Sequence, residues 1–405
     1  MAISLTSPIS LLPVKGIRIA TAADEIRYQT RDDVVLFELC KNAQTAVVFT
    51  KNQFCAAPVI VSRQNLNVSQ PRYLLVNSGN ANAGLGVQGL ADAKTSCATL
   101  ANECECSEEE VLPFSTGVIG TRMPVDKMMR KIPSMLENLQ ESAWLNAAEA
   151  IMTTDTVSKG WSKQMDLDGH QVTITGIAKG SGMIRPDMAT MLAFVATDLG
   201  VDSIILKNML TDAVDQSFHC ITVDGDTSTN DACTLTATGQ AGIHFDELSK
   251  QAKAEFIEVL NTLFLSLAQS IIRDGEGITK YISIKVDQAK DEFMARAIAF
   301  TIAHSPLVKT AAFASDPNWG RILAAAGRAE VQGLEVNKLS LSINKLQVIA
   351  EGEVAIDYTE DKGSREMSKD EIEFCLQLGL GESSANVWTT DLSYDYVKIN
   401  AEYRT

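Results

Sequence analysis

The sequence predicts an α/β protein of layered sheets with packed helices, and two observations carry that prediction. First, the runs Val34–Leu39, residues 45–50 and Tyr73–Asn77 have strand length, are rich in Val and Leu and show little polar alternation, as strands buried on both faces do. Second, helical spacing interleaves with them. In residues 202–218, Ile204, Ile205, Met209, Ala213, Val214 and Phe218 recur near the helical period, with Asp202 placed as an N-cap. Strands and helices that alternate without a fixed repeat imply layers around a shared core.

The remaining elements follow in order. Residues 1–16 have no basic residue before Lys15 and no small-residue cleavage site, so they are expected to be a leading strand or arm, not a signal peptide. Residues 107–110 suit the capped start of a helix, and residues 358–370 a solvated loop leading into another. Residues 246–272 and 290–304 have the helical pattern. Residues 281–286 alternate Tyr, Ile, Ser, Ile, Lys and Val, and residues 338–343 alternate Leu and Ser, as half-buried strands do. No apolar run approaches the roughly 18–20 residues that cross a bilayer.

Composition narrows the function classes. The 405 residues carry 35 Lys+Arg against 51 Asp+Glu, a formal net charge of −16, so nucleic acid and anionic membrane are not expected partners. The eight cysteines form no C-x-x-C pair. Free thiols in a reducing, cytoplasmic compartment are expected, not a zinc ribbon or disulfide framework. His170, His219, His244 and His304 are scattered. The run from Asp224 to Asn230 opens like a calcium loop but has Thr229 at the sixth position and Leu235 at the twelfth, where Gly and Glu are needed. No metal site is expected.

Four segments combine Gly, Thr, Asn and charge. Residues 74–86 run from a strand into a loop dense in Gly and Asn, without the G-K-[ST] ending of a phosphate loop. In residues 115–120, Ser-Thr-Gly-Val-Ile-Gly, a Thr–Gly step in a tight turn aims a hydroxyl and a backbone N–H at one point, as an oxyanion site needs. In residues 178–192, Lys179 and two glycines lead through Pro186 to Ala189–Thr190 at the mouth of an apolar strand. A Thr hydroxyl there can attack the preceding carbonyl and, on hydrolysis, become an N-terminal Thr. Its freed amine, with a pKa of about 7.7–8.0, then acts as base for its own hydroxyl. Residues 273–280, Arg-Asp-Gly-Glu-Gly-Ile-Thr-Lys, suit a loop that brings a carboxylate to a ligand amine. Each segment taken alone is also compatible with ordinary turn or strand chemistry.

Taken together the segments resemble one family. Lys179-Gly-Ser-Gly-Met, Pro186, Met188-Ala-Thr-Met-Leu192, Ser115-Thr-Gly-Val-Ile-Gly120 and Ile151-Met-Thr-Thr-Asp-Thr156 are similar to motifs of the ornithine acetyltransferases, also called glutamate N-acetyltransferases, of arginine biosynthesis. So are the residues 221–230, Arg273-Asp-Gly-Glu-Gly277, Asp316-Pro-Asn-Trp-Gly-Arg321 and the ending 396–405. The resemblance extends from about Phe49 to the last residue. Asp187, Ser158 and Ile278 depart from the commonest pattern; none has an assigned chemical role.

The resemblance implies an N-terminal-nucleophile-like enzyme of two fragments, 1–189 and 190–405, cut between Ala189 and Thr190. It implies Thr190 as nucleophile and Thr116 and Gly117 as the oxyanion hole. Thr153, Lys179, Thr190, Glu276, Asn400 and Thr405 match substrate-binding positions. Acetyl transfer from N2-acetylornithine to glutamate would then need no cofactor, with acetyl-CoA a further acetyl donor in some relatives and two copies of each fragment as the assembly. The rival readings are an N-terminal-nucleophile amidase or aminopeptidase, which would pass the acyl group to water, and an uncleaved amino-acid-binding protein.

Overall fold

The computed structural model describes residues 2–23, 31–185 and 191–402. The chain forms two compact units: Thr6–His219 with Asp226–Ile271, and Met1–Leu5 with Cys220–Gly225 and Ile272–Thr405.

Among its described residues the larger unit holds nine strands: β1 (Ile17–Ala22), β2 (Val34–Leu39), β3 (Gln44–Phe49), β4 (Tyr73–Asn77), β5 (Val111–Ser115), β6 (Lys159–Leu167), β7 (His170–Lys179), β8 (Leu192–Thr197) and β9 (Ala232–Ala237). One sheet runs β1-β2-β4-β5 and the other β3-β9-β8-β7-β6. Pairing is antiparallel except for β4 with β5 and β8 with β9. The β6–β7 hairpin turns on Asp168 and Gly169, both at positive φ (53° and 86°), the two-residue turn whose twist suits paired strands.

Side chains alternate across the first sheet and bury both of its faces. Leu36 and Leu75 face the helices Ala57–Leu66, Gly86–Cys104 and Val125–Glu137, whereas Phe37, Leu74, Val76 and Phe114 face Ile177, Leu192 and Phe194 of the second sheet. At the centre the Phe194 ring stacks on Phe37 at 5.1 Å and meets Phe114 edge-on at 5.3 Å. Beyond the second sheet lies the helix Lys250–Arg273. It comes close at Gly176, where a Cβ would lie 2.9 Å from Leu263. The result is four layers: helix, sheet, sheet, helix.

In the smaller unit, β10 (Tyr281–Ala289), β11 (Ser340–Ile343), β12 (Leu346–Ala350), β13 (Glu353–Val354), β14 (Glu371–Gln377) and β15 (Ser383–Thr390) form a sheet of order β13-β12-β11-β14-β10-β15. Ile282, Ile284, Phe374 and Leu376 pack on Ile298 and Ile302 of the helix Glu292–Ala303.

Two expectations need correction. Residues 107–110 do not start a helix; Ser107 caps a single 3-10 turn, Glu108–Glu110, and the chain extends at once into β5. The expected loop of residues 358–370 contains the helix Glu360–Met367, capped by the Thr359 hydroxyl. The helix Lys250–Arg273 is long and apolar enough to cross a membrane, although no linear apolar run announced it. Half of its most apolar stretch is buried inside the protein. Its polar residues recur at helical spacing, so they break the run while leaving one face continuous.

The compact units do not follow a division at residue 189. Strands β8 and β9 lie after Ala189 but sit in one sheet with β3, β6 and β7, which lie before it.

Candidate active site

Sheet topology draws several motifs to one end of the larger unit. Parallel β4 and β5 bring their C-terminal residues, Asn77 and Ser115, into register. Antiparallel β7 and β8 pair Lys179 with Leu192, and parallel β8 and β9 pair Leu192 with Ala232. Thus Asn77, Ser115, Lys179, Met191 and Asp231 all stand at strand ends. The two sheets are tied there by Asn230, whose amide Nδ2 donates to the Ala81 carbonyl at 2.6 Å and the Ser115 carbonyl at 2.9 Å.

The Thr116–Gly117 turn is built on Asn77. The Thr116 N–H donates to the Asn77 carbonyl at 2.9 Å, and the Asn77 amide donates to the Ser115 hydroxyl at 2.5 Å. The Asn77 side-chain oxygen in turn accepts from the N–H groups of Gly79 and Asn80. Since the Thr116 N–H is engaged, what that residue offers a ligand is its hydroxyl. Gly117 has φ of +130°, and a Cβ there would lie 2.7 Å from the Gly79 carbonyl carbon and 2.8 Å from the Asn80 nitrogen. Only glycine fits this backbone-to-backbone contact.

Lys179 and Thr153 meet directly: the Lys179 ammonium donates to the Thr153 hydroxyl at 3.3 Å. Both are organised by Asp155, which is buried. One carboxylate oxygen of Asp155 accepts from the Lys159 ammonium at 2.6 Å and the Gly180 N–H at 2.8 Å; the other accepts from the Thr153 N–H at 2.9 Å. Lys159 and Asp155 have no exposed side-chain surface. Burial pushes the Asp155 carboxyl up, but the charges of Lys159 and Lys179 and these hydrogen bonds outweigh it and hold it well below the usual range.

Asp231 sits in the opposite regime. It is 6% exposed, and its Oδ2 has no hydrogen-bond partner. Burial pushes its carboxyl well above the usual range, against the pull of Lys179, the Ser228 hydroxyl and the Met191 N–H.

The smaller unit brings together two other sequence-predicted residues. Buried Glu276 accepts from the Asn400 amide at 2.9 Å. Asn400 lies on the helix Tyr394–Ala401, whose N-cap Ser393 donates to the Gly277 carbonyl at 2.5 Å. Gly277, at φ +63°, packs where a Cβ would lie 2.4 Å from the Tyr396 nitrogen. The loop is anchored beyond this by Asp391, which accepts from the Thr279 N–H and hydroxyl and from the Lys280 N–H.

Ala189, Thr190 and Thr405, with Pro186 and Asp187, lie outside the described residues. Among the described residues, no cluster of three or more His, Cys, Asp or Glu side chains could hold a metal ion. Sequence reasoning assigned no role to Asn77, Asp155, Lys159, Asn230 or Asp231. Asn77, Asp155 and Asn230 lay inside quoted motifs, so an Asp or Asn between hydroxyl-bearing neighbours was the available signal. Lys159 and Asp231 gave none.

Comparison with known proteins agrees with the motif resemblance. The ArgJ family matches residues 18–405. An arginine biosynthesis bifunctional protein ArgJ from Methylococcus capsulatus is 50% identical over 399 residues, covering 98% of each chain. The protein of that name from Pseudomonas fluorescens is 46% identical and covers 100% of each chain. Among solved structures, an arginine biosynthesis bifunctional protein argJ from Bacillus halodurans is 34% identical, with a TM-score of 0.49, covering 51% of this chain and 97% of that one. A match of this length and identity makes the chain a member of the ArgJ family.

Proposed function

We propose that this chain, an acyltransferase of arginine biosynthesis, moves the acetyl group of N2-acetyl-L-ornithine to L-glutamate through an acetyl ester on Thr190. The observation that carries the reading is the convergence of the Thr116–Gly117 turn, the Lys179–Thr153 pair and Met191, the residue next to Thr190, at one end of the larger unit.

After scission of the Ala189–Thr190 bond, the Thr190 amine takes the proton of its own hydroxyl as the oxygen attacks the acetyl carbonyl. The oxyanion is met by the Thr116 hydroxyl and the Gly117 N–H. Collapse breaks the C–N bond, the proton passes to the departing amine, and ornithine leaves acetyl-Thr190 behind. The neutral amine of glutamate then attacks the ester, and the same steps run in reverse. Lys179 and Thr153 suit a substrate carboxylate; Glu276, whose carboxylate accepts from the Asn400 amide, is assigned with Asn400 to substrate binding by the family resemblance. Thr405 is assigned to substrate binding by the family resemblance alone.

The relatives are named bifunctional; the second activity proposed here is acetylation of glutamate with acetyl-CoA as co-substrate. A cytoplasmic setting fits the eight free cysteines, and two copies of each fragment are the proposed assembly.

The test is to follow acetylglutamate and acetate from acetylornithine with and without glutamate. Acetylglutamate should form with parallel-line, ping-pong kinetics. Acetate release that ignores glutamate would overturn transfer in favour of hydrolysis. A second expected result concerns the turn: Gly117→Ala forces a Cβ into the Gly79–Asn80 backbone and displaces the donor, so kcat falls by about 10²–10³ while KM changes far less. Steady-state kinetics check the split.

A further inference from the structure

Gly117 lies in a slot with no slack. A Cβ there would meet the Gly79 carbonyl carbon at 2.7 Å, the Asn80 nitrogen at 2.8 Å and the Gly79 carbonyl oxygen at 2.9 Å, so the two backbones are in direct contact. Asn80 forms bridges with Thr116 on one side of Gly117 and with Val118 on the other, and the Ala81 N–H donates to the Val118 carbonyl at 3.0 Å. The 116–118 turn is therefore moulded on residues 79–81, and the direction of the Gly117 N–H follows theirs.

Asn77 holds both sides of that contact. Its backbone carbonyl accepts from the Thr116 N–H at 2.9 Å and its amide donates to the Ser115 hydroxyl at 2.5 Å, which fixes the strand end entering the turn. Its side-chain oxygen accepts from the Gly79 N–H at 3.2 Å and the Asn80 N–H at 2.9 Å, which fixes the surface on which the turn lies. Turned over, the amide would set its NH2 against those two N–H donors, so the surroundings decide its orientation. Asn77 is 1% exposed, and the only other contact of its amide nitrogen among the described residues is with Met123 Sδ at 3.8 Å; the side chain is spent on the turn. Asn230 ties the Ala81 and Ser115 carbonyls from the other sheet, but neither bond reaches the N–H groups of Gly79 and Asn80.

We propose that Asn77 is a positioning residue for the oxyanion hole: one side chain sets the place and direction of the Gly117 N–H by joining the strand end before the turn to the loop beneath it. The inference rests on the reading of Thr116 and Gly117 as the oxyanion donors. Without the amide, two buried N–H groups and a hydroxyl lose their partner, the loop beneath Gly117 moves to satisfy them, and the donor leaves the place where the oxyanion forms. A misplacement of about 1 Å costs about 10²-fold in rate. Since the oxyanion exists only on the way through the transition state, the loss falls on kcat.

The experiment measures kcat and KM for acetylornithine in Asn77→Ala, Asn77→Ser, Gly117→Ala and the double variant Asn77→Ala/Gly117→Ala, with kcat referred to the cleaved chain counted by intact mass. Asn77→Ala should lower kcat about 10²-fold while KM changes far less. Asn77→Ser, whose hydroxyl accepts from the same N–H groups more weakly, should fall between the alanine variant and the wild type; it replaces alanine throughout if that variant does not fold or does not cleave. The double variant should be little slower than Gly117→Ala, because a donor already displaced is not displaced again. Single losses that multiply, to about 10⁴–10⁵, would put the effect of Asn77 elsewhere and overturn the inference. So would a loss confined to KM, or wild-type kcat in the Asn77 variants beside a slow Gly117→Ala. Wild-type kcat in Gly117→Ala would overturn the oxyanion reading and the inference with it.

Discussion

Thr190→Ala is expected to yield one intact chain of 405 residues with no measurable acetyl transfer, where the wild type yields fragments 1–189 and 190–405. The substitution removes the hydroxyl proposed to attack the Ala189 carbonyl and, later, the acetyl group. Scission and turnover therefore fail together. For turnover the loss should be on the order of 10⁴–10⁶ in kcat, the scale seen when a covalent nucleophile is removed. Thr190→Ser keeps a hydroxyl and should retain both events at reduced rate. Denaturing electrophoresis with intact mass reads scission, and the acetylglutamate assay reads turnover. Under native conditions the wild-type fragments should travel together, because β8 and β9 of the second lie within a sheet whose other strands belong to the first. A wild-type chain that stays intact and active would overturn the mechanism.

What could be read from the sequence divides by the range of the interaction. Val34–Leu39, Tyr73–Asn77 and Leu192–Thr197 were legible as strands because burial on both faces writes a continuous apolar run into the chain itself. The Thr–Gly step of Thr116 and Gly117 was legible for the same reason: turn geometry is local. Lys159 was not. It opens a strand whose central residues are half-buried or exposed, and nothing beside it distinguishes it from a surface lysine. Its burial follows from the β6–β7 hairpin, which sets Lys159 opposite Ala178 and brings Gly180 to the carboxylate that Lys159 neutralises. Asp231 and the Glu276–Asn400 contact depend likewise on pairings distant in sequence, which no local pattern encodes.

The Asp155–Lys159 pair should dominate the stability of the larger unit. Both side chains are fully buried, so Lys159→Met leaves the Asp155 carboxylate without its closest cation, and Asp155→Asn leaves a buried ammonium facing a neutral amide. Breaking such a pair from one side costs about 3–5 kcal/mol, whereas replacing both partners with groups of similar volume is often neutral. The double variant Asp155→Asn/Lys159→Met should therefore recover most of the stability lost by either single change, which chemical unfolding can measure. Activity should not recover with it. Asp155 also fixes the Thr153 and Gly180 N–H groups, and an amide satisfies those donors less strongly than a carboxylate. The sign of the pH dependence follows from the depressed carboxyl of Asp155. Its stabilisation is complete above the unfolded-state pKa of about 3.9 and is lost as pH falls below that toward the folded-state value. The wild type should thus lose stability in acid more steeply than the double variant. Identical acid profiles for the two would show that Asp155 is not held ionised by its partners.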